Sequence, residues 1–248
     1  MAAQSQLTTV WAGLLFVVGK VLRFLFFFVF IFSILSRVKT IAGYSREQVI
    51  LFYLVFNLID VSTQILFRGV YRFRRLIISG DFDLVLMQPT PSFFRPIFGW
   101  SDIFDLTTLV PLIIYLSFFI FQNNFWNGSG TIILFFLLLL NSLVLAFALH
   151  LLVCAICVLT TEIDHLVMVY RDLTNMARFP TDIYQKPVVC FLTFTVPVVI
   201  LMTVPVKALL NLLSWQTILL SFAITLVFLV GSLKLWKYAI RGYSSASS

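Results

Sequence analysis

Charged residues are scarce in this sequence, and their scarcity excludes most soluble folds. Of the 248 residues, 11% are Asp, Glu, Lys or Arg, whereas a soluble domain is usually about one quarter charged. Hydrophobic residues make up 61%, and the mean hydropathy is +1.05. Water is not the main solvent of such a chain, so we predict an integral membrane protein.

Motifs for nucleotide binding and for hydrolysis are also missing. The sequence contains no GxxxxGK[ST] phosphate loop, no GxGxxG turn and no HExxH pair. We therefore predict that the chain is not an enzyme and binds no cofactor of its own. Cysteine is rare as well, and the three cysteines lie in or beside apolar runs, so no disulfide framework of a secreted domain is indicated.

One group of possible metal ligands stands out. His150, Cys154 and Cys157 share a helical face, and three such ligands suit a soft metal ion. Cysteines are also ordinary apolar packing residues, and no fourth ligand is apparent. We therefore favour packing over a metal site.

The apolar runs are continuous and long, which favours helices over a barrel of alternating strands. We predict an all-α integral membrane protein with about six transmembrane helices. Pro187, Pro197 and Pro205 predict that the fifth span is kinked, broken or partly re-entrant. The predicted order is an interfacial helix (1–23), two spans (24–67), a charged loop (68–100), two spans (101–160), a second charged loop (161–186), two spans (187–233) and a tail (234–248).

Lysine and arginine set the expected orientation. The formal net charge is +7, and most of the cations fall near the two charged loops and the C-terminal end. Because Lys and Arg are retained on the cytoplasmic side, we expect both loops and both termini to be cytoplasmic in a multi-pass protein of the cell membrane. The same argument explains the basic charge without a nucleic-acid partner.

A polar stripe interrupts the second predicted span. Asn57, Asp60 and Gln64 are spaced by three and four residues, so they lie on one helical face. An ionised Asp near a span centre costs at least about 2.5 to 3.5 kcal/mol, so the stripe should face other helices or a wet cavity. Both a helix interface and a translocation path remain open, and the interface is favoured.

The first charged loop contains RRLIISGDFDLVLMQPTPSFFRP (74–96), which resembles the ABC-2 family of exporter permeases. TIAGYSREQVILFYLVF (40–56), RFPTDIY (178–184) and LWKYAIRGYSSAS (235–247) resemble the same family in the same order. The resemblance therefore extends over nearly the whole chain.

The resemblance implies one transmembrane permease domain of the type-2 ABC exporter architecture. It implies a second permease, identical or homologous, and two cytoplasmic ABC ATPase subunits that bind ATP and Mg. It also implies that the loop after the second span carries a coupling helix that docks on the ATPase. The residues assigned to this loop are Arg72, Arg75, Gly80, Asp81, Asp83, Leu84, Val85, Met87 and Pro89.

Local chemistry is compatible with that role. The glycine permits a tight turn, either aspartate can cap the next helical turn, the apolar residues offer a docking face, and the proline stops the helix. Two other functions stay open from the residues alone. An ion-coupled secondary transporter would use Asp60, and a non-transporting scaffold would tolerate substitutions throughout 72–96. An apolar, Phe-rich bundle is compatible with an amphipathic or lipid-like cargo, a drug or a peptide.

Overall fold

The computed structural model describes residues 40–100, 103–126, 128–160 and 164–243, and before them 15, 18–19, 21–22, 25–26, 29–34 and 36–37. The interfacial helix predicted at 1–23 and the first predicted span fall in this interrupted N-terminal stretch. Both lie largely outside the described residues and stay predictions.

The described residues fold almost entirely into helices. Their extended pairing is limited to an isolated bridge between Ile41 and Tyr44. The helices are α1 (Arg46–Phe67), α2 (Val70–Ile78), α3 (Asp81–Leu86), α4 (Phe94–Phe98), α5 (Ile103–Gln122), α6 (Ser129–Thr160), α7 (Asp164–Asn175), α8 (Lys186–Phe194), α9 (Val204–Leu209, after a π-helical turn at Val199–Thr203) and α10 (Trp215–Arg241).

Four stretches of helix in the described part are long and apolar enough to cross a membrane. They are α1 continued by α2, then α5, α6 and α10. The bent pair formed by α8 and Val199–Leu209 makes a fifth if it is counted as one span. The all-α membrane fold is thus confirmed, while the described residues provide four or five of the six predicted spans.

Local signals explain where α1 begins and ends. The Ser45 hydroxyl accepts from the Gln48 amide at 3.4 Å and the Gln48 side chain accepts from the Ser45 amide at 2.9 Å, which is a capping box. Beyond Phe67 the backbone of Gly69 packs on α4. A Cβ at Gly69 would lie 2.5 Å from the Pro96 carbonyl oxygen, so this close approach requires glycine.

The bundle has two distinct ends. At the first, α2, α3 and α4 form a folded segment, and Arg68 after α1 pairs with Asp105 in the first turn of α5. At the second, Asn211 before α10 meets Thr131 at the start of α6, with 3.3 Å between their side-chain oxygens. We call these the basic end and the hairpin end.

Residues 164–183 connect the two ends. The Tyr170 ring lies 4.9 Å from His150 of α6, Arg178 lies over the Phe56 ring midway along α1, and Asp182 bonds Tyr44 at the hairpin end. This differs from the expectation that 161–186 is a loop at the same end as 68–100. The segment carries too many charged residues to be recognised by hydropathy, yet it contacts α6 at His150 and α1 at Phe56.

The proline-rich stretch after it is bent, as the sequence predicts. Helix α8 and the helix at Val199–Leu209 meet at 87°. Pro197, which has no backbone N–H to donate, lies in the break between them. Helix α8 begins at Lys186, shortly after Asp182 in the sequence, and the Lys207 ammonium of α9 donates to the Asp182 carboxylate at 2.8 Å. Both ends of the bent pair therefore lie at the hairpin end. The bent pair 186–209 thus starts and ends at one side of the bundle, as a re-entrant hairpin does, and the polar segment 164–183 connects the basic end to it.

Candidate functional site

The segment between α1 and α5 is a compact unit with a sharp turn in its middle. Gly80 joins α2 to α3 with a φ of 76°, a left-handed conformation that favours glycine. Gly80 itself occupies the N-cap position of α3 and supplies no capping side chain. Asp81 and Asp83 lie inside the first turn, where their charge suits the positive end of the helix. The expectation that either aspartate caps α3 is therefore wrong.

Helix α3 divides its apolar side chains between two faces. Leu84 and Met87 are 57% and 74% exposed, whereas Phe82 and Val85 are buried. Val85 was expected on the docking face, but it belongs to the core of the segment because it shares the inward face with Phe82. The exposed apolar face of α3 therefore consists of Leu84 and Met87.

An aromatic cluster fixes the inner face of α3 to the last helix. The Phe82 ring lies 5.1 Å from Phe73 of α2 and 5.2 Å from Tyr243, and Phe73 lies 5.9 Å from Trp236 of α10. The Trp236 indole also donates to the Ser92 hydroxyl at 2.9 Å. The inner face of α3 thus packs directly on α10.

The polar and charged side chains around the aromatic cluster differ in their exposure and in their contacts. The Tyr243 hydroxyl is buried without a hydrogen-bond partner of standard geometry among the described residues. Burial first, and then the neighbouring Asp83 carboxylate, raise the pKa of Tyr243. Arg72 stacks on Trp100, with 3.9 Å between its guanidinium carbon and the ring centroid, while Arg75 is exposed. The segment therefore exposes charges of both signs, the arginines of α2 and Asp81 of α3.

Helix α3 ends before the proline that was expected to stop it. Its last residue is Leu86, and Met87 is the C-cap. Pro89 lies in the bend that follows, where it disfavours the helical conformation of the residue before it.

The polar stripe of α1 is where the sequence places it, and its hydrogen bonds stay inside the helix. Asn57 is buried and donates to the Tyr53 carbonyl at 2.7 Å, and Gln64 donates to the Asp60 carboxylate at 2.9 Å. Within the described part of the chain, none of the three stripe residues bonds another helix. The helix-interface and translocation-path interpretations of the stripe both stay predictions.

The predicted trio on α6 is a packing cluster. The Nδ1 atom of His150 lies 2.7 Å from the Ala146 carbonyl oxygen, and its ring lies between Phe67 and Tyr170. Cys154 and Cys157 are buried. In the described ranges, no three His, Cys, Asp or Glu side chains are arranged to hold a metal ion.

A polar cluster at the hairpin end escaped the sequence analysis. Asp182 accepts from the Tyr44 hydroxyl and from the Lys207 ammonium, each at 2.8 Å. Burial first, and then the hydrogen bond and charge of Asp182, raise the pKa of Tyr44. These residues come from three distant parts of the sequence, and no spacing rule connects them. We call Tyr44, Asp182 and Lys207 the hairpin cluster.

Comparison with characterised proteins and with solved structures finds no significant match. The family described as "ABC-2 family transporter protein" does match, over residues 21–247. That range includes the segment at the basic end, the polar stripe, the hairpin cluster and every helix from α1 to α10. The chain is therefore a membrane permease that belongs to the ABC-2 family of transporter proteins.

Proposed function

We propose that the chain is the permease subunit of an ATP-driven exporter, with ATP hydrolysed by separate subunits. In this proposal two cytoplasmic ABC ATPase subunits, which bind ATP and Mg, dock at the basic end of two permeases. The second permease is an identical or homologous chain. The basic end is cytoplasmic, together with the C-terminal end, in the cell membrane.

The observation that carries the proposal is the exposed apolar pair on α3. Leu84 and Met87 project from a short helix whose other face is anchored by Phe82 to the aromatic cluster. Exposed apolar side chains on a rigid helix are suited to a groove on a partner protein. The exposed Arg75 of α2, in the same segment, can add electrostatic attraction to an acidic rim on the partner.

The structure also suggests how force reaches the membrane. Pressure on α3 acts on α10 through Phe82 and Trp236. It also acts on α5. The backbone of Gly69 contacts α4, and the neighbouring Arg68 forms an ion pair with the fully buried Asp105 of α5. Closure of the ATPase subunits then moves both helices together and switches the paired permeases between inward and outward openings.

The test is copurification of the ATPase with a permease carrying Leu84→Glu and Met87→Glu. Two carboxylates placed in an apolar groove lose the contact and add a desolvation cost, so copurification and coupled ATP hydrolysis should both be lost. Asp83 stays unchanged, because its charge acts on Tyr243 inside the segment.

The matched control is Leu212→Glu, which changes a similarly exposed leucine at the hairpin end. This variant should keep both copurification and hydrolysis. Intact ATPase binding in the Leu84 and Met87 double variant would refute docking at α3. Full transport by the purified chain in vesicles without any ATPase would refute the proposed function as a whole.

A further inference from the structure

An open cavity of about 460 Å³ lies between the re-entrant hairpin and α10. Its wall is formed by Asp182 and Tyr184, by one side of α8 and by Leu220 of α10. Lys186, the first residue of α8, also lines it, and Asp182 belongs to the hairpin cluster. Two separate parts of the chain therefore meet in one site at the hairpin end.

Most polar groups in the wall are already bonded within the protein. Asp182 accepts from Tyr44 through one carboxylate oxygen and from Lys207 through the other. The hydroxyl groups of Tyr184 and Thr193 each donate to a backbone carbonyl, at 2.9 and 2.6 Å. These hydrogen bonds engage both hydroxyl protons and the carboxylate charge.

Lys186 is the exception in the wall. It is exposed, and it forms no ion pair with any residue that the structure describes. The charges of Asp182 and Lys207 cancel, so the net charge of the site is the positive charge of Lys186. Gln185, the N-cap of α8, makes no side-chain hydrogen bond to the first turn, and the positive end of the helix adds to this charge. The polar part of the cavity therefore favours an anion.

The rest of the wall is apolar and lies deeper in the bundle. Its exposed side chains include Phe194 and Leu220. At about 1.5 Å per residue, Phe194 lies about 12 Å along α8 from Lys186, and Leu220 lies about 7.5 Å along α10 from Trp215. An exposed tryptophan at the start of an apolar span is typical of the membrane–water interface. The wall thus changes from charged to apolar where lipid headgroups meet acyl chains.

We propose that this cavity binds a membrane lipid with an anionic headgroup. The headgroup lies at Lys186, and the acyl chains lie against Phe194 and Leu220. A zwitterionic lipid would bring a second ammonium to a site that is already positive, and a small anion would leave the apolar wall uncovered. This lipid site goes beyond the proposed function and requires no ATPase.

Cys190 reports on the site, because it lines the cavity and is exposed, whereas Cys154 and Cys157 are buried. The experiment measures how fast uncharged N-ethylmaleimide alkylates the purified full chain in dodecyl maltoside. Dioctanoyl phosphatidylglycerol is compared with dioctanoyl phosphatidylcholine at equal mole fraction, and with inorganic phosphate. When phosphatidylglycerol is about tenfold above its Kd, the site is about nine-tenths occupied and alkylation should be about tenfold slower. The other two probes should leave the rate nearly unchanged.

Variants separate the headgroup contact from general effects of a charged micelle. Lys186→Gln should lower the phosphatidylglycerol affinity about tenfold, the effect of one charge-assisted hydrogen bond. Lys237→Gln, which removes an exposed ammonium at the basic end, should not lower it. Each rate is divided by that of the same variant without lipid. Leu212→Cys with Cys190→Ser places the thiol at the hairpin end outside the cavity wall, and its alkylation should not respond to lipid.

The comparison of the three probes on the wild-type chain decides the proposal without any variant. Equal slowing by phosphatidylcholine or by phosphate would overturn it, as would no slowing by phosphatidylglycerol. Failure of Cys190 to react in the lipid-free chain would also overturn it, because protein would then cover the cavity.

Two results with the variants would be equally decisive against the lipid site. One is an unchanged phosphatidylglycerol affinity in Lys186→Gln, and the other is equal slowing at the Leu212→Cys thiol. A bound lipid exchanges with the bilayer, so it slows the alkylation of Cys190 in cells but does not prevent it. Copurification with an ATPase tests the proposed function separately.

Discussion

Replacing Asp182 by alanine removes the acceptor on which the hairpin cluster depends. The carboxylate joins the turn before α1, the end of the segment 164–183 and the re-entrant hairpin through Tyr44 and Lys207. Without this carboxylate the Tyr44 hydroxyl has no acceptor, and it cannot readily bond water because Tyr44 is only 8% exposed. The Lys207 side chain is partly exposed and reaches water.

The expected loss of stability follows from these burials. A buried hydroxyl left unsatisfied costs about 1 to 3 kcal/mol. The ion pair with Lys207 adds about 0 to 1 kcal/mol, because both side chains keep contact with solvent. We expect Asp182→Ala to lower the free energy of unfolding by about 1 to 4 kcal/mol. Tyr44→Phe in the same chain should recover part of this loss, because the orphaned hydroxyl is then absent.

The assay is unfolding by SDS in mixed micelles, followed by circular dichroism. A double-mutant cycle of Asp182→Ala and Tyr44→Phe should show a coupling free energy of about 1 kcal/mol or more. Asp172→Ala, which removes an exposed carboxylate of α7, is the matched control and should change stability by less than about 0.5 kcal/mol. Strict additivity of the two changes, or wild-type stability of Asp182→Ala, would refute the hairpin cluster.

Three other predictions concern the two ends of the bundle. Gly69→Ala should destabilise the chain by about 1 to 3 kcal/mol and weaken coupled ATP hydrolysis, since its Cβ meets carbonyl oxygens of α4, whereas Gly231→Ala in open space should not. A membrane-impermeant maleimide applied to intact cells should label the exposed Cys190 of the wild-type chain but not the double variant Met87→Cys with Cys190→Ser. The reverse pattern would refute the proposed orientation. Because the pKa of Tyr44 is raised, the folded chain keeps the Tyr44 proton at a pH where the unfolded chain loses it. The stabilisation from this proton is complete below about pH 10, the pKa of tyrosine in the unfolded chain, and is lost as the pH rises above that value. An equally steep loss of stability in Tyr44→Phe, in the same unfolding assay, would refute this.

The sequence alone predicts the helices that are apolar along most of their length. Helices α1, α5, α6 and α10 lie within a few residues of the predicted second, third, fourth and sixth spans, apart from the extra turns of α10 beyond residue 233. Lipid demands an unbroken apolar helix, so length and hydropathy are sufficient evidence for them. The bend at Pro197 is equally local, because proline lacks the N–H that a continuous helix requires.

Residues 164–183 could not be assigned in the same way. Their charged side chains give the segment a low hydropathy, which predicts a loop. In the structure the segment extends from one end of the bundle to the other and contacts α6 and α1 on the way. Packing against neighbours, not transfer into lipid, determines their position. The burial of Val85 could not be predicted for the same reason. Periodicity identifies an apolar turn, but it does not tell which face of that turn packs on Phe73 of α2.

The amino-acid sequence by itself thus determined the membrane class, the main helices and the resemblance that the family match confirms. Tertiary structure alone decided which side of α3 is free and which acid meets Tyr44. Hydropathy and helix signals act between near neighbours in the sequence. These contacts join residues far apart in the chain, and they exist only once the helices have packed.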